Sequence, residues 1–294
     1  MGMNIIEEAS KRLEQLSKAG IEVPGKPEAR RRTRLPVESM LDERVEPKTD
    51  SASAQANRVT LDFARLKASG LITPTDPDQQ LLQEFRVIKR PLIRNALGKS
   101  AAPVKNGNLI MVTSALPGEG KTFAAVNLAM SIAMEVDSTV LLVDADVVAP
   151  TVPRVLGIAP AKGLMDVLTE PEPDLGSVIL KTNLSRLSLV LAGRQHRRAS
   201  ELLASDAMAE LLDEVSKRYP ERIVIFDSPP LLATTESRAL ASHMGQVVVV
   251  VEADRTTHGT LEAALATVET CPIVLTMLNK ASASDVGSYY GYYG

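Results

Sequence analysis

The chain has 294 residues, of which 45% are hydrophobic, so it can fill the core of a large α/β domain. Its net charge of -3 gives no overall attraction to nucleic acid, and its one cysteine excludes an internal disulfide and indicates a reducing compartment. No stretch reaches the ~18 to 20 apolar residues of a membrane span, and the acidic N-terminus lacks signal-peptide character, so we expect a cytoplasmic protein.

The first 78 residues are expected to form an extension to the main domain. Residues 4–19 carry apolar side chains at alternating steps of three and four, which predicts an amphipathic helix. Such a short helix needs a partner surface, either on its own domain or on another protein. Residues 21–56 are rich in Pro, Arg, Glu and Ser and lack periodicity, which predicts a disordered tether. A small helical patch is predicted over 59–68.

A second helical pattern covers residues 79–97. Its apolar side chains fall on one side of the helix and its basic side chains surround them. Pro91 lies inside the pattern and removes one backbone hydrogen bond, so we expect the helix to be kinked or interrupted there.

The main domain is predicted over residues 79–280, with a tail at 281–294. Six apolar runs predict buried strands, at 109–112, 140–143, 187–191, 223–226, 247–251 and 273–278. Helical patterns separate most of them, at 122–135, 200–218, 236–243 and 257–269. Because the runs are continuously apolar, they predict an α/β fold with a mostly parallel sheet and helices on both faces. Ligands are expected at the C-terminal ends of the strands.

The segment after the first of these strands contains Gly118 and Gly120 and leads into a helix. Glycines allow backbone N–H groups to turn toward phosphate oxygens, and the positive end of the helix faces the same anion. The spacing matches a P-loop, except that Ala115 stands where the first glycine usually does. We expect Lys121 to reach the terminal phosphates of a nucleotide and Thr122 to offer its hydroxyl to Mg²⁺.

Two predicted strands end in acidic residues. Asp144 and Asp146 follow the run at 140–143, and Asp227 follows the run at 223–226. Acids at these strand ends would lie beside the phosphate loop, where Asp227 is expected to help hold Mg²⁺. The other two acids restrain each other's ionisation until a cation arrives. One could bind metal while the other takes a proton from an attacking hydroxyl.

The C-terminal segment holds four of the five tyrosines, which are Tyr289, Tyr290, Tyr292 and Tyr293. Interleaved glycines and the chain end predict exposed, mobile phenols. These phenols are candidate phosphoryl acceptors, and a low-complexity tail without chemistry is the alternative.

Taken together, these motifs resemble the bacterial tyrosine autokinases (BY-kinases) of capsule and exopolysaccharide synthesis, in particular the separate cytoplasmic form found beside exosortase systems. The resemblance covers about residues 80–294. It lies in the P-loop at 115–122, an Asp-x-Asp at 141–146, an Asp-x-Pro-Pro motif at 223–230 and the tyrosine cluster. It implies a P-loop NTPase fold related to the ParA and MinD ATPases.

The resemblance also implies a function. It implies ATP-dependent phosphorylation of the tail tyrosines of a neighbouring subunit, in a ring formed through helix 79–97, and control of exopolysaccharide chain length and export. The implied partners are a membrane-embedded polysaccharide co-polymerase, which would recruit the chain to the inner face of the membrane, and a protein-tyrosine phosphatase. No nucleic acid is implied.

Roles for individual residues follow from the same resemblance. Lys121 would hold the β and γ phosphates and Asp144 would be the base, although Asp144 and Asp146 could exchange roles. Mg²⁺ would be held by Thr122, Asp146 and Asp227. The nucleotide would be bound by Ala115, Pro117, Gly118, Glu119, Gly120, Lys121, Thr122 and Phe123.

The chain departs from the family pattern in two places. The family commonly has an Arg shortly after the second Asp of Asp-x-Asp, whereas Asp146 is followed by Val-Val-Ala-Pro. The family's subunit-contact motif, Glu-x-x-Arg-x-x-Arg, aligns best with Gln83, Arg86 and Lys89, and Glu84 could replace Gln83. We therefore do not carry the family's ring geometry or catalytic rate over to this chain, whereas the nucleotide site is unaffected by these changes.

Two other functions are compatible with the motifs. One is a positioning ATPase of the ParA or MinD type, although residues 113–120 lack the signature lysine of that group. The other is a non-catalytic, nucleotide-gated scaffold for polysaccharide export. Asn279 and Lys280 end the last predicted strand, where they either contact an adenine or, as we favour, only terminate the strand.

Overall fold

The computed structural model describes residues 57–170, 174–218 and 221–282. The predicted amphipathic helix at 4–19, the tether at 21–56 and the four tail tyrosines lie outside these residues. Within the described part, no helix combines the length and the apolar character needed to cross a bilayer.

The described part of the chain forms one eight-stranded sheet with helices. The strands are β1 Arg58–Val59, β2 Leu109–Ser114, β3 Thr139–Asp144, β4 Leu180–Thr182, β5 Leu187–Val190, β6 Arg222–Asp227, β7 Gln246–Glu252 and β8 Ile273–Asn279. The α-helices are α1 Phe63–Ala68, α2 Gln79–Ala96, α3 Lys121–Ala133, α4 Val152–Leu156, α5 Leu164–Leu168, α6 Ala199–Leu203, α7 Asp206–Arg218, α8 Glu236–Ala241 and α9 His258–Ala266. A 3-10 turn covers Leu175–Val178.

The strand order is β1-β4-β5-β3-β6-β2-β7-β8. Every neighbouring pair is parallel except β4 with β5. The strand β2 is therefore an internal strand, between β6 and β7, and the carboxyl ends of β2, β3 and β6 meet at one edge. This arrangement confirms the predicted fold class and places the phosphate loop beside the acidic strand ends.

Successive residues of the central strands enter two different hydrophobic cores. In β2, Leu109 and Met111 pack in the core with α5 to α9, whereas Ile110 and Val112 pack in the core with α1 to α4. All four side chains are buried. Helices therefore cover both faces, which explains why the strand sequences are continuously apolar rather than alternating.

The packed part of the chain begins earlier than the predicted boundary at residue 79. Leu61, Leu66 and Ile72 are buried in the same core as α2 and α3, and β1 joins the sheet edge by pairing with β4. The predicted helix at 59–68 is correct only from Phe63. Strands of two and three residues leave no apolar run, so β1 and β4 could not be read from hydrophobic pattern.

Three other predicted elements differ in detail. The helix predicted at 200–218 is two helices, α6 and α7, separated at Ala204 and Ser205. The predicted buried strand at 273–278 is the edge strand β8, and Leu278 is 61% exposed. Helix α2 runs from Gln79 to Ala96 without interruption, so a break at Pro91 is not observed. Pro91 is exposed, so water can solvate the carbonyl that loses its backbone partner.

Candidate functional site

The candidate site lies at the carboxyl ends of β2, β3 and β6. Asp144 and Asp227 are the last residues of β3 and β6 and are register partners. The phosphate loop follows β2, which pairs with β6 on one side and β7 on the other. The parallel pairing therefore brings the loop and the acids together, as predicted from the sequence.

The backbone of the phosphate loop requires glycine at two positions. Gly118 and Gly120 have φ angles of 89° and 98°, in the left-handed region. Gly120 is also the N-cap of α3, and no side chain caps this helix start, so its first N–H groups can serve an anion. Ala115 is buried and is not among the residues with positive φ, so an alanine fits where the family has glycine.

Lys121 is held by Asp146 at the mouth of the site. The distance between Lys121 Nζ and Asp146 Oδ2 is 2.6 Å, and both side chains are largely buried. The neighbouring Thr122 hydroxyl lies 2.7 Å from the Thr151 hydroxyl. The two groups that would meet a nucleotide are therefore paired with residues of the segment that follows β3.

Asp227 is a fully buried carboxylate, and the Thr122 hydroxyl lies near it without the geometry of a hydrogen bond. Neither of its oxygens has a partner among the described residues. Burial raises the pKa of Asp227 to about 6, although the Lys121 charge and the nearby Thr122 hydroxyl oppose the rise. A buried acid that lacks a partner and lies near a threonine hydroxyl fits a divalent cation, because carboxylate and hydroxyl oxygens are its preferred ligands.

Asp144 is also fully buried, but its oxygens have partners. They accept hydrogen bonds from the backbone N–H groups of Asp146 and Val152, both at 3.2 Å. Burial and the neighbouring Asp227 charge raise the pKa of Asp144 to about 8, with a smaller contribution from Asp146. Asp144 therefore fixes the segment after β3, and its raised pKa gives it affinity for a proton near neutral pH.

An open cleft of about 460 Å³ lies in front of the phosphate loop. Seven of the predicted site residues line it, namely Pro117, Gly118, Gly120, Lys121, Thr122, Phe123 and Asp146. Four others, Ala115, Glu119, Asp144 and Asp227, are buried and do not line it. The opposite side is formed by residues after β6, including Pro229 and Pro230. The tail tyrosines predicted as acceptors lie outside the described residues.

The phosphate loop is braced from the β7–β8 side of the sheet. The Glu119 carboxylate accepts a hydrogen bond from Leu116 N–H at 2.7 Å and another from the Thr256 hydroxyl. Asn279 Nδ2 donates to the Glu119 carbonyl at 2.9 Å, and Lys280 Nζ donates to the Gly118 carbonyl at 2.8 Å. Asn279 and Lys280 thus do more than end a strand. No local sequence signal indicates Thr256, which is 137 residues from its partner.

Comparison with known proteins decides the family. A family model described as an AAA domain matches residues 107–278. The tyrosine-protein kinase YwqD of Bacillus subtilis is 30% identical over 226 residues, which cover 76% of this chain and 91% of YwqD. The chain belongs to the bacterial tyrosine-protein kinases. The chain is therefore a bacterial protein-tyrosine kinase with a P-loop fold.

Two further matches define the extent of the similarity. The tyrosine-protein kinase Wzc of Salmonella typhimurium is 30% identical over 186 residues, which cover 63% of this kinase but only 24% of Wzc. The solved kinase domain of VpsO is 27% identical, with a TM-score of 0.57, over 69% of this kinase and 97% of that domain. The kinase thus aligns with nearly all of a kinase domain and about a quarter of Wzc.

The helix expected to contact other subunits has only part of its motif exposed. Gln83 and Arg86 face outward, but Lys89 is turned into the kinase's own core. Its Nζ donates to the Ser131 carbonyl at 2.6 Å and pairs with Glu135 at 2.6 Å. The third position of the aligned motif is therefore occupied by an internal contact with the end of α3.

Proposed function

We propose that this kinase transfers the γ-phosphoryl group of ATP to Tyr289, Tyr290, Tyr292 and Tyr293 of a neighbouring copy, and so regulates exopolysaccharide chain length or export. The observation that carries the proposal is the meeting of Lys121, Asp146 and the unpartnered Asp227 beside an uncapped helix start. The tyrosine-rich C-terminal segment supplies phenol groups, which are the phosphoryl acceptors of a tyrosine kinase.

Lys121 is the group that would hold the β and γ phosphates. In the described structure its charge is neutralised by Asp146. A bound triphosphate would compete for the ammonium group and release the Asp146 carboxylate into the cleft. Thr122, Asp146 and Asp227 would hold Mg²⁺, which neutralises charge on the phosphates during transfer. The remaining loop contacts would come from backbone N–H groups and from Pro117 and Phe123 along the cleft.

The transfer step needs a proton acceptor. The phenol oxygen forms a bond to the γ phosphorus, the bond from that phosphorus to the bridging oxygen of ADP breaks, and the phenol proton moves to a carboxylate. Asp144 has the pKa suited to this role, at about 8, but it is closed off from the cleft. Asp146 lines the cleft. We assign the role of proton acceptor to this pair. Either Asp144 accepts the phenol proton itself, or Asp146 accepts it and Asp144 holds Asp146 in place.

Assembly and partners complete the proposal. Gln83 and Arg86 on the outer side of α2 would contact the next subunit of a ring, and Lys89 would not, because it is engaged internally. A membrane-embedded co-polymerase would bring the kinase to the inner face of the membrane, and a protein-tyrosine phosphatase would reverse the modification. Both partners follow from the family resemblance, and the exposed side of α2 is compatible with subunit contacts.

The proposal is tested by incubating the full chain with Mg-ATP and mapping phosphotyrosine by mass spectrometry. We expect phosphate on the four tail tyrosines, and its loss in Lys121→Met. The matched control is Lys105→Met, which changes an exposed lysine away from the cleft. ATP hydrolysis with an unmodified tail would instead indicate a positioning ATPase, and neither activity, even with an activating partner segment, would indicate a scaffold.

Transfer between subunits is tested by mixing two variants. One is Lys121→Met with an intact tail, and the other is an active chain in which all four tail tyrosines are changed to Phe. We expect phosphate on the tail of the Lys121→Met chain. An unmodified tail in the mixture, together with a modified tail in the wild type, would show that each copy modifies itself.

A further inference from the structure

A second cavity of about 330 Å³ lies next to the catalytic cleft. Its walls are mostly apolar and rich in proline, and they include Pro150, Pro153, Ile158, Pro160, Ala161 and Leu191. It lies between the segment that follows Asp146 and the end of β5. The proposed nucleotide chemistry uses none of these residues, and a cavity of this size and polarity suits an aromatic ring.

The walls of this cavity are fixed before any ligand binds. On the β5 side, the buried Asp166 accepts hydrogen bonds from Gly163 N–H at 2.9 Å and from Arg194 N–H and Nε at 3.2 and 2.6 Å. Leu164 N–H donates to the Leu191 carbonyl at 2.8 Å. On the other side, three prolines restrict the backbone. A ring entering the cavity would therefore meet a preformed pocket, which lowers the cost of binding.

Arg154 connects the cavity to the cleft, because its side chain lines both. It is exposed, and its guanidinium has no ion pair within the described ranges. Val148, also on the cleft, is a hydrophobic residue that is 52% exposed. An unpaired guanidinium and an exposed apolar side chain suit a ligand with both aromatic and anionic character.

The chain itself contains a segment that combines aromatic side chains with one acid, Asp285. Its last six residues are two Tyr-Tyr-Gly repeats, so every tyrosine there has an adjacent aromatic neighbour. The described residues end at Ser282, shortly after β8, and β8 is five strand positions from β5. Five strand spacings are about 24 Å, and the seven steps to Tyr289 reach at most about 25 Å when fully extended. The first tyrosine pair of the same copy would have no slack, so docking of that pair favours a tail from a second copy.

We propose that the C-terminal Tyr-Tyr-Gly segment of a second copy docks with one phenol in the catalytic cleft and a neighbouring tyrosine ring in the proline-lined cavity. Arg154 would lie between the two rings. This inference rests on the proposed function, since it assigns a specificity pocket to the same transfer. It also explains why the tyrosines occur in pairs, because either ring of a pair can bind in the cavity while its neighbour is phosphorylated.

The experiment uses two acceptor peptides that span residues 285–294 and keep Tyr290 as the single acceptor. In one peptide the other three tyrosines are changed to Phe, and in the second they are changed to Ala. The enzymes are the wild-type chain, Ala161→Trp, which fills the cavity from an exposed position, and the matched control Ala159→Trp, which lies outside the cavity lining. Thermal melts confirm that each variant is folded.

With wild-type enzyme we expect the Phe peptide to have a KM about tenfold below that of the Ala peptide, as burial of one ring allows. Ala161→Trp should abolish this difference and leave the KM for ATP unchanged, while Ala159→Trp should preserve it. Equal KM values for the two peptides in the wild type, with Tyr290 still phosphorylated, would contradict docking of a ring in the cavity. They would not contradict the proposed function.

If neither the peptides nor the tail of the full chain is phosphorylated, the proposed function fails and docking is decided by binding alone. Fluorescently labelled Phe peptide is then titrated into Lys121→Met with and without Ala161→Trp. A loss of affinity of about tenfold on filling the cavity supports the docking site, and equal affinity overturns it.

Discussion

Asp144 and Asp227 lie side by side in the core, as register partners at the ends of β3 and β6. Both are fully buried. Burial and the charge of Asp227 raise the pKa of Asp144 to about 8, and burial raises that of Asp227 to about 6. The chain therefore holds two acids in an environment that favours their protonated forms until a cation arrives.

The metal-free kinase should lose stability as the pH rises. For an acid whose pKa is higher in the folded state, the stabilisation is complete below the unfolded value of about 4 and is lost as pH rises through the folded value. We expect the melting temperature in EDTA to fall by several degrees between pH 5 and pH 8, and Mg²⁺ with ADP to restore most of it at pH 8. Differential scanning calorimetry measures both.

The control for this prediction is Asp227→Asn, which removes one of the two titrating groups. Its melting temperature in EDTA should depend less on pH over the same interval. A melting temperature that stays constant or rises from pH 5 to pH 8 in the unmodified chain would contradict the prediction.

The pair formed by Lys121 and Asp146 predicts opposite effects on binding and on transfer. Asp146→Asn leaves the largely buried ammonium group without its partner, so phosphate no longer competes with a carboxylate and ADP affinity in EDTA should rise by about tenfold or more. Phosphotyrosine formation should fall by about 100-fold or more, because a proposed metal and proton ligand is lost. Calorimetric titration and quantitative mass spectrometry measure the two effects.

Asp213→Asn is the matched control, since it breaks an exposed pair with Lys217 that has the same length of 2.6 Å. It should change neither quantity. Weaker ADP binding in Asp146→Asn would show that the carboxylate does not compete with phosphate for Lys121. If Asp144 is the proton acceptor, the transfer rate should rise as the pH approaches the Asp144 pKa of about 8, and Asp144→Asn should remove that rise.

The sequence was sufficient for the parts of the fold that rest on local pattern. The buried strands are continuous apolar runs, the phosphate loop is set by Gly118 and Gly120, and Asp144 and Asp227 directly follow their apolar runs. Parallel pairing then determines where the site forms, since it brings the carboxyl ends of strands that are distant in sequence to one edge of the sheet. Convergence of Lys121, Asp146 and Asp227 could thus be predicted without coordinates.

Features that depend on side-chain direction could not be predicted. Lys89 has a basic, surface-like sequence context, yet its side chain turns inward to meet Ser131 and Glu135. Arg154 follows Asp146 by eight residues, and only the packing of α4 places it on the cleft. The directions of both side chains depend on which side of the helix packs against elements that are distant in sequence.

Pro91 should reduce the stability of the kinase. It lies inside α2, where it cannot donate the backbone hydrogen bond, and its side chain is exposed. Pro91→Ala restores that donor without a clash, so we expect the free energy of unfolding to rise by about 1–3 kcal/mol. Urea denaturation measures the change, and Arg90→Ala, at the neighbouring exposed position, should stay within about 0.5 kcal/mol of the wild type. A less stable Pro91→Ala would show that the proline fits a shape that α2 requires.

Asn279 should promote nucleotide binding by holding the phosphate loop in place, and not by contacting the adenine ring. Its amide donates to the Glu119 carbonyl, so Asn279→Ala removes one hydrogen bond that holds the phosphate loop. We expect the affinities for ADP and GDP to fall alike, by about three- to tenfold. A loss confined to ADP would favour an adenine contact instead. Thr276→Ala, which removes an exposed side chain of the same strand, is the control and should change neither affinity.

A substitution at Gly120 tests the contact between Asn279 and the phosphate loop from the loop side. A Cβ at Gly120 would lie 2.0 Å from Asn279 Nδ2, and its φ angle of 98° is unfavourable for any other residue. Gly120→Ala should therefore weaken ADP binding more than Asn279→Ala does. If the clash alone were responsible, adding Asn279→Ala would restore binding. We expect little recovery in the double variant, because the backbone strain remains and the brace is absent as well. Recovery to the level of Asn279→Ala alone would show that the loop tolerates alanine and that the asparagine contact sets its shape.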